Sequence, residues 1–126
     1  VKFILDECIT EPVARALEAL GYEVGFAPEL ISRGAEDDDI YRYAGECGAS
    51  VLSQDREIIT SKTKQAVLRG ANCGVFVLRR PRADNKRLKL IRILTLWEQL
   101  EHYHREASRP FVFECRSTGI KVERIL

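Results

Sequence analysis

The stretch Lys2-Phe3-Ile4-Leu5-Asp6-Glu7 decides the fold. Three apolar residues in a row, without alternation, are what a strand buried on both faces shows. The run breaks at once into two carboxylates. Thr10-Glu11-Pro12 then supplies a capping residue, an acid and a proline, the signals of a helix start. Ligands of open α/β sheets bind beyond the carboxyl ends of the strands. Asp6 therefore stands where a site is expected, with Glu7 beside it.

Working outward, Val13, Ala16, Leu17 and Leu20 recur at helical spacing and Gly21 ends the helix. Residues 22–26 alternate as a second strand, and residues 28–34 read as a loop. Glu36-Asp37-Asp38-Asp39 forms an acidic first turn, followed by a helical stripe of Ile40, Tyr41, Ala44 and Cys47 that Gly48 stops. Residues 49–53 are a third strand, leaving through Gln54-Asp55-Arg56-Glu57. A helix covers part of residues 60–69, and residues 75–78 are a fourth, wholly apolar strand. Arg79, Arg80, Pro81 and Arg82 form a basic exit. A long helix follows from about Asn85 to Tyr103, with Leu88, Ile91, Leu94, Trp97 and Leu100 as its core stripe. Its first turns carry Lys86, Arg87, Lys89 and Arg92, against the helix dipole, so something other than helix stability places those charges. Residues 110–115 and 120–125 flank a Ser117-Thr118-Gly119 turn as a terminal hairpin. This order predicts an α/β fold with a four-stranded parallel sheet, right-handed crossovers, a long C-terminal helix and an appended β-hairpin. With no repeat or linker in view, residues 1–126 are expected to form a single domain.

A chain of 126 residues with 45% hydrophobic and 31% charged residues can bury a core and is not a disordered segment. No apolar run reaches the length of a membrane span. No basic-then-apolar leader opens the chain, and its start at Val1 reads as a trimmed N-terminus, so a cytoplasmic location and no membrane partner are expected. Cys8, Cys47, Cys73 and Cys115 have neither CxxC nor zinc-site spacing and are expected to be free, mostly buried thiols. Cys8, near Asp6, is either a small apolar filler or a reactive thiol. His102 and His104 near the end of the long helix suit the charge preference of a helix C-terminus. GxSxG, Walker A and GxGxxG motifs are absent.

The net charge of +1 conceals an asymmetry. Residues 1–57 carry five Lys/Arg against 13 Asp/Glu, a net of −8, and residues 58–126 carry 15 against six, a net of +9. Two such halves can attract each other, or can set a carboxylate cluster beside a cationic track for a phosphate backbone.

Acid stands at three strand exits or helix starts: Asp6 with Glu7, Asp37 with Asp38 and Asp39, and Asp55 with Glu57. Hard divalent cations such as Mg²⁺ or Mn²⁺ take carboxylate oxygens and water, and carboxylates from separate strand tips can meet above a sheet. Any one acid of residues 37–39 also has an ordinary role against its helix dipole. Ser53, two residues before Asp55, is placed to orient a carboxylate or a water.

The segments Phe3-Ile-Leu-Asp6-Glu7, Leu17-Glu-Ala-Leu20-Gly21-Tyr22-Glu23-Val24, Gly34-Ala-Glu-Asp37-Asp-Asp-Ile40 and Val51-Leu52-Ser53-Gln54-Asp55-Arg56-Glu57 together resemble PIN-like domains, above all the short toxin-like group related to VapC ribonucleases. The resemblance implies a three-layer PIN-like fold and a Mg²⁺- or Mn²⁺-dependent endoribonuclease, often silenced by a cognate antitoxin and often dimeric. It implies that Asp6, Asp37, Asp55 and Glu57 form the catalytic metal site, where a water activated by the ion attacks an RNA phosphodiester without a covalent intermediate. Glu57 stands where an Asp is common and Ile58 where a Phe is common. Neither Glu29 nor Glu36 aligns with the family's further acid. Arg56, Lys62, Lys64, Arg79 and Arg80 are candidate contacts to the RNA backbone, and Glu7 and Ser53 candidate supports of the site.

Two other classes compete. One is a catalytically inactive PIN-like binding module. The other is a receiver-like signalling domain with Asp55 as phosphoryl acceptor. A receiver needs two further parallel strands after Asp55, one bearing Ser/Thr and the other Lys, whereas the pattern here predicts one strand and then a hairpin.

Overall fold

The structure is a computed structural model describing residues 1–80, 85–121 and 126. Pro81, Arg82 and the end of the expected second hairpin strand lie outside the described residues. Strands β1 (Phe3–Leu5), β2 (Val24–Phe26), β3 (Ser50–Ser53), β4 (Gly74–Leu78) and β5 (Phe111–Arg116) run parallel, and β6 (Gly119–Lys121) returns antiparallel to β5. The sheet order is β2-β1-β3-β4-β5-β6. The sheet thus has six strands rather than four, because the hairpin extends it instead of standing apart. Phe111, Val112 and Phe113 form an apolar run as continuous as that of β4, and an isolated hairpin would leave it exposed.

The helices are α1 (Glu11–Ala19), α2 (Ala27–Leu30), α3 (Asp37–Cys47), α4 (Glu57–Thr60), α5 (Lys62–Ala71) and α6 (Lys86–Glu106), with a 3-10 turn at Glu7–Ile9. Alternate strand residues feed two cores. Phe3, Leu5, Leu52, Phe76, Phe111 and Phe113 pack with α1 and α6. Ile4, Val51, Val75, Val77 and Val112 pack with α3, α4 and α5. This is a three-layer α/β/α arrangement. The β1–α1–β2, β2–α3–β3 and β3–α5–β4 crossovers share one hand. The β4–α6–β5 crossover steps along the sheet in the same direction as the one before it but packs on the opposite face, so its hand is reversed. The face under α6 carries the bulky Phe76, Phe111 and Phe113, while the other carries Val75, Val77 and Val112 with Glu114 and Arg116 from the same strands.

Two parallel strands, not one, follow β3, and the order β2-β1-β3-β4-β5 is the one receiver folds share. Strand counting therefore does not separate the two classes. Residue content does: β4 is Gly-Val-Phe-Val-Leu, without Ser or Thr, and β5 is Phe-Val-Phe-Glu-Cys-Arg, without Lys.

Several local expectations give way to packing. Thr10 does not cap α1: its side chain makes no capping bond, its φ is 81°, and Oγ1 is buried without a hydrogen-bond partner. The loop at 28–34 begins inside the short helix α2, which Pro28 can open because the first turn needs no proline N–H. Leu20 and Ile91 are 61% and 48% exposed, and Cys47 is exposed at the end of α3. The buried face of α6 is Ile93, Leu96, Trp97 and Leu100. A strict three-residue repeat cannot stay on one helix face, since each step falls about 60° short of a full turn; Ile91 and Trp97 consequently diverge. Among the described residues, no helix is long and apolar enough to cross a membrane.

The amino end of the sheet is closed by a polar cluster rather than by a charged histidine. Arg109 donates to the Ala49 carbonyl (2.6 Å) and to Ser50 Oγ (2.9 Å), and His104 Nδ1 lies 2.7 Å from Ser50 Oγ and 3.0 Å from the guanidinium. A guanidinium can only donate, so Nδ1 accepts and the imidazole is neutral. Burial, then the charges of Arg109 and Lys2, hold the His104 pKa below its ordinary value. The unfolded chain takes up a proton near pH 6.5 that the folded chain refuses, so stability should fall as pH drops through about 6.5. Comparing Tm at about pH 7.5 and 5.5 checks this, with a smaller drop expected for His104→Gln.

Helices α3 and α5 pack closely near their C-termini, towards the amino end of the sheet. A Cβ on Gly45 of α3 would run into the Ala71 carbonyl oxygen of α5. Alanine normally favours a helix over glycine by about 1 kcal/mol, but backbone cannot rotate out of the way as a side chain can. Gly45→Ala is expected to destabilise by about 1–3 kcal/mol, lowering Tm by roughly 5–10 °C in thermal unfolding.

Candidate functional site

Each acidic side chain reaches the carboxyl edge of the sheet by its own route. Asp6 follows β1, and its N–H donates to the Leu52 carbonyl at 3.0 Å, pinning it against the tip of β3. Asp37 opens α3, which crosses from the far strand β2. Asp55 lies two residues past β3, where its N–H donates to Ser53 Oγ (3.0 Å) and its Oδ1 accepts from the Glu57 N–H (3.0 Å). That short turn, closed by an aspartate side chain on the backbone, directs Asp55 and starts α4. Ser53 Oγ donates in turn to Asp6 Oδ2 at 2.8 Å. One hydroxyl therefore joins the exits of β1 and β3.

Lys64, expected among the contacts to the RNA backbone, instead turns to the carboxylates. Ser61 Oγ caps α5 by accepting from the Lys64 N–H (3.2 Å), which fixes the first turn and aims the side chain back at the strand tips. Lys64 Nζ lies 2.8 Å from Asp37 Oδ2, 2.5 Å from Asp55 Oδ2 and 3.3 Å from Glu57 Oε2. The side chains of Asp37 and Asp55 are each 29% exposed and that of Lys64 21%, whereas Glu57 is largely in solvent. Burial opposes the Lys64 charge, but the hydrogen bonds and charges of Asp37 and Asp55 outweigh it and raise its pKa above the ordinary lysine value. Burial likewise works against ionised Asp55, yet Lys64 and the Glu57 N–H hold its pKa below the usual carboxylate range. Asp6 is shifted the other way: burial raises its pKa, the Ser53 hydrogen bond only partly offsets this, and the charge of Asp37 adds to the rise.

An open cleft of about 670 Å³ lies over these groups, lined by Asp6, Glu7, Cys8, Gln54, Asp55, Arg56, Glu57 and Arg80. Its size suits a nucleotide-sized group. Of the candidate cations, Arg56 and Arg80 border the cleft; Arg56 also lies 3.8 Å from Glu114 of β5. Lys62 is exposed on the first turn of α5. The Arg79 carbonyl accepts from Arg92 at 2.7 Å, and Lys89 Nζ donates to the Cys8 carbonyl at 2.9 Å. The basic start of α6 is thereby anchored beside the acidic cleft. Cys8 is no reactive thiolate: burial and the charge of Asp6 push its pKa up, and Sγ accepts from the Gln54 N–H.

Gln54 and Tyr41 carry no sequence signal for a site, yet both belong to this region. Gln54 is buried in the cleft wall, and its Oε1 has no hydrogen-bond partner. Tyr41, also buried, has a pKa raised first by burial and then by the charges of Asp37, Asp55 and Asp6, which places it beneath all three. Carboxylates together with an unpartnered amide oxygen are, in kind, the donors of a hard divalent ion. As they stand among the described residues, no group of three or more His, Cys, Asp or Glu side chains is arranged to hold a metal ion, and the Lys64 ammonium stands between Asp37, Asp55 and Glu57.

The fold is an α/β sheet of mainly parallel strands with an acidic cluster at its strand tips. The model of the PIN-like domain family matches residues 1–80, covering β1 through β4 and every acidic residue of the cluster. The chain belongs to the PIN-like domain family, whose members are commonly nucleases. No curated protein and no solved structure is a significant match.

The Ser53 hydroxyl stabilises the charged form of Asp6. Ser53→Ala should raise the Asp6 pKa further, read by carboxyl ¹³C NMR titration; an unchanged value would show that the hydroxyl does not reach the carboxylate in solution.

Proposed function

We propose that this protein is a divalent-metal-dependent endoribonuclease whose site is Asp6, Asp37, Asp55 and, at the solvent edge, Glu57. The observation that carries the reading is convergence. Residues 37, 55 and 57, from two different segments, meet on one ammonium nitrogen, and Asp6 joins them through Ser53. Carboxylate oxygens of this kind are what a hard divalent ion takes. When bound, Mg²⁺ or Mn²⁺ supplies a lowered water pKa and neutralises charge on a phosphodiester.

The chain's own residues define the rest. Asp6 and Asp55, fixed by backbone and Ser53 hydrogen bonds, are the rigid ligands. Asp37 enters from α3, and Glu57, mostly in solvent, is the adaptable one. Gln54 offers a neutral oxygen in the cleft wall. Arg56 and Arg80 on the rim, continued by Lys86 and Arg87 at the start of α6, form a cationic track for the RNA backbone. These contacts position without reading sequence. The toxin role within a type II toxin–antitoxin pair, with a cognate antitoxin and a homodimer as partners, rests on the motif resemblance to the VapC-related group.

The test is cleavage of an end-labelled, mixed-sequence RNA by wild type and by Asp6→Asn. Cutting is expected in Mg²⁺ or Mn²⁺ and not in EDTA, and Asp6→Asn should reduce it by about 10²-fold or more. Cutting that survives both EDTA and Asp6→Asn would sink the reading. For the cationic track, Arg80→Ala and Lys86→Ala should each flatten the dependence of log K on log salt by about 0.7. Unchanged slopes would remove the track.

A further inference from the structure

We propose that Lys64 is a built-in counter-ion that occupies the cation position of the carboxylate cluster and must be displaced when a divalent ion binds. This rests on the metal-site reading above but goes beyond it, because it assigns to one residue the control of when the site loads.

Three observations support the exchange. The first is position. Nζ lies within 3.3 Å of Asp37, Asp55 and Glu57 oxygens, so it holds the same oxygens a divalent ion would take. The second is direction. The Ser61 cap and the start of α5 aim the lysine inward, although the neighbouring Lys62 is exposed and would serve equally well as a surface cation. The third is what the lysine leaves unsatisfied. The ammonium donates to Asp37 and Asp55 and pairs with Glu57 at 3.3 Å. Among the described residues, the buried Gln54 oxygen beside the cleft has no hydrogen-bond partner, and Asp6, held by the Ser53 hydroxyl, makes no ion pair with Lys64. The ammonium thus serves Asp37, Asp55 and Glu57 and not Asp6.

Two consequences follow. Without metal, Lys64 keeps mutually repelling carboxylates together and stabilises the fold. With metal, two cations cannot share Asp37 and Asp55 at these separations, so the flexible lysine stem swings the ammonium away. The lysine therefore weakens metal affinity while stabilising the empty protein. A residue that merely braced the site would strengthen both.

The experiment is Mn²⁺ binding by titration calorimetry to wild type, Lys64→Gln and Lys64→Met, with Tm measured in EDTA and in saturating Mn²⁺. Both variants should bind Mn²⁺ about ten-fold more tightly than wild type. Their Tm should be lower in EDTA and rise further on adding Mn²⁺. Equal or weaker Mn²⁺ binding by the variants, alongside clear binding by wild type, would overturn the exchange while leaving the metal site standing. Absence of Mn²⁺ binding by all three proteins would overturn both. A second measurement needs no variant: amine labelling of wild type, mapped by mass spectrometry. Lys64 should be protected in EDTA and labelled faster in saturating Mg²⁺, with Lys62 unchanged as the internal control. Protection of Lys64 that is the same in both conditions would contradict displacement.

Discussion

Like charges brought close together are the constraint that shapes the carboxyl edge of this sheet. Asp6, Asp37, Asp55 and Glu57 arrive from three segments; the three aspartates sit in partly dry surroundings, where their repulsion is stronger than in water, while Glu57 lies largely in solvent. The Lys64 ammonium, hydrogen-bonded to Asp37 and Asp55 and close to Glu57, offsets that repulsion. Asp6 makes no ion pair with Lys64 among the described residues, and burial, with the charge of Asp37 adding to it, raises the Asp6 pKa. The ammonium thus pairs with Asp37, Asp55 and Glu57 but not with Asp6, an arrangement suited to the proposed uptake of a cation.

The rest of the fold sets the geometry of this cluster. The parallel pairing of β1 with β3 places Asp6 and Asp55 on adjacent strand tips, the Asp6 N–H bonding to Leu52 and the Ser53 hydroxyl spanning the gap. The close approach of α3 to α5 at Gly45 and Ala71 brings together the helices that carry Asp37 and Lys64. At the opposite pole, Arg109, Ser50 and His104 tie the end of α6 to the start of β3. The start of α6 is anchored by Lys89 on the Cys8 carbonyl. That anchor carries basic charge, unfavourable to the helix itself, up to the rim of the acidic cleft, where a polyanionic substrate would benefit from it.

Much of the fold was legible because the signals were local. Asp6 and Asp55 stood out as charges directly beyond buried strands, and Asp37 as the leader of an acidic helix start. Of the three acids at 37–39, only contacts could show that Asp37 turns to Lys64, while Asp39 lies 3.9 Å from Arg42 on the exposed side. What was not legible depended on partners distant in sequence. A lysine in the run Lys62-Thr63-Lys64 looks like surface charge until the Ser61 cap fixes its direction. The strand partner of Phe111–Arg116 depends on a crossover through the 21-residue helix α6, and no local pattern reveals it. The stripe through Ile91 failed for a geometric reason, since a repeat of three drifts around a helix of 3.6 residues per turn.

The most direct test of the account is a crystal structure grown in Mn²⁺ with anomalous diffraction data. The account predicts an anomalous peak bound by Asp6 and by Asp37 or Asp55, with the Lys64 ammonium withdrawn from the cluster. A well-ordered structure in saturating Mn²⁺ with no peak at these carboxylates, and with Lys64 still bridging Asp37 and Asp55, would contradict it.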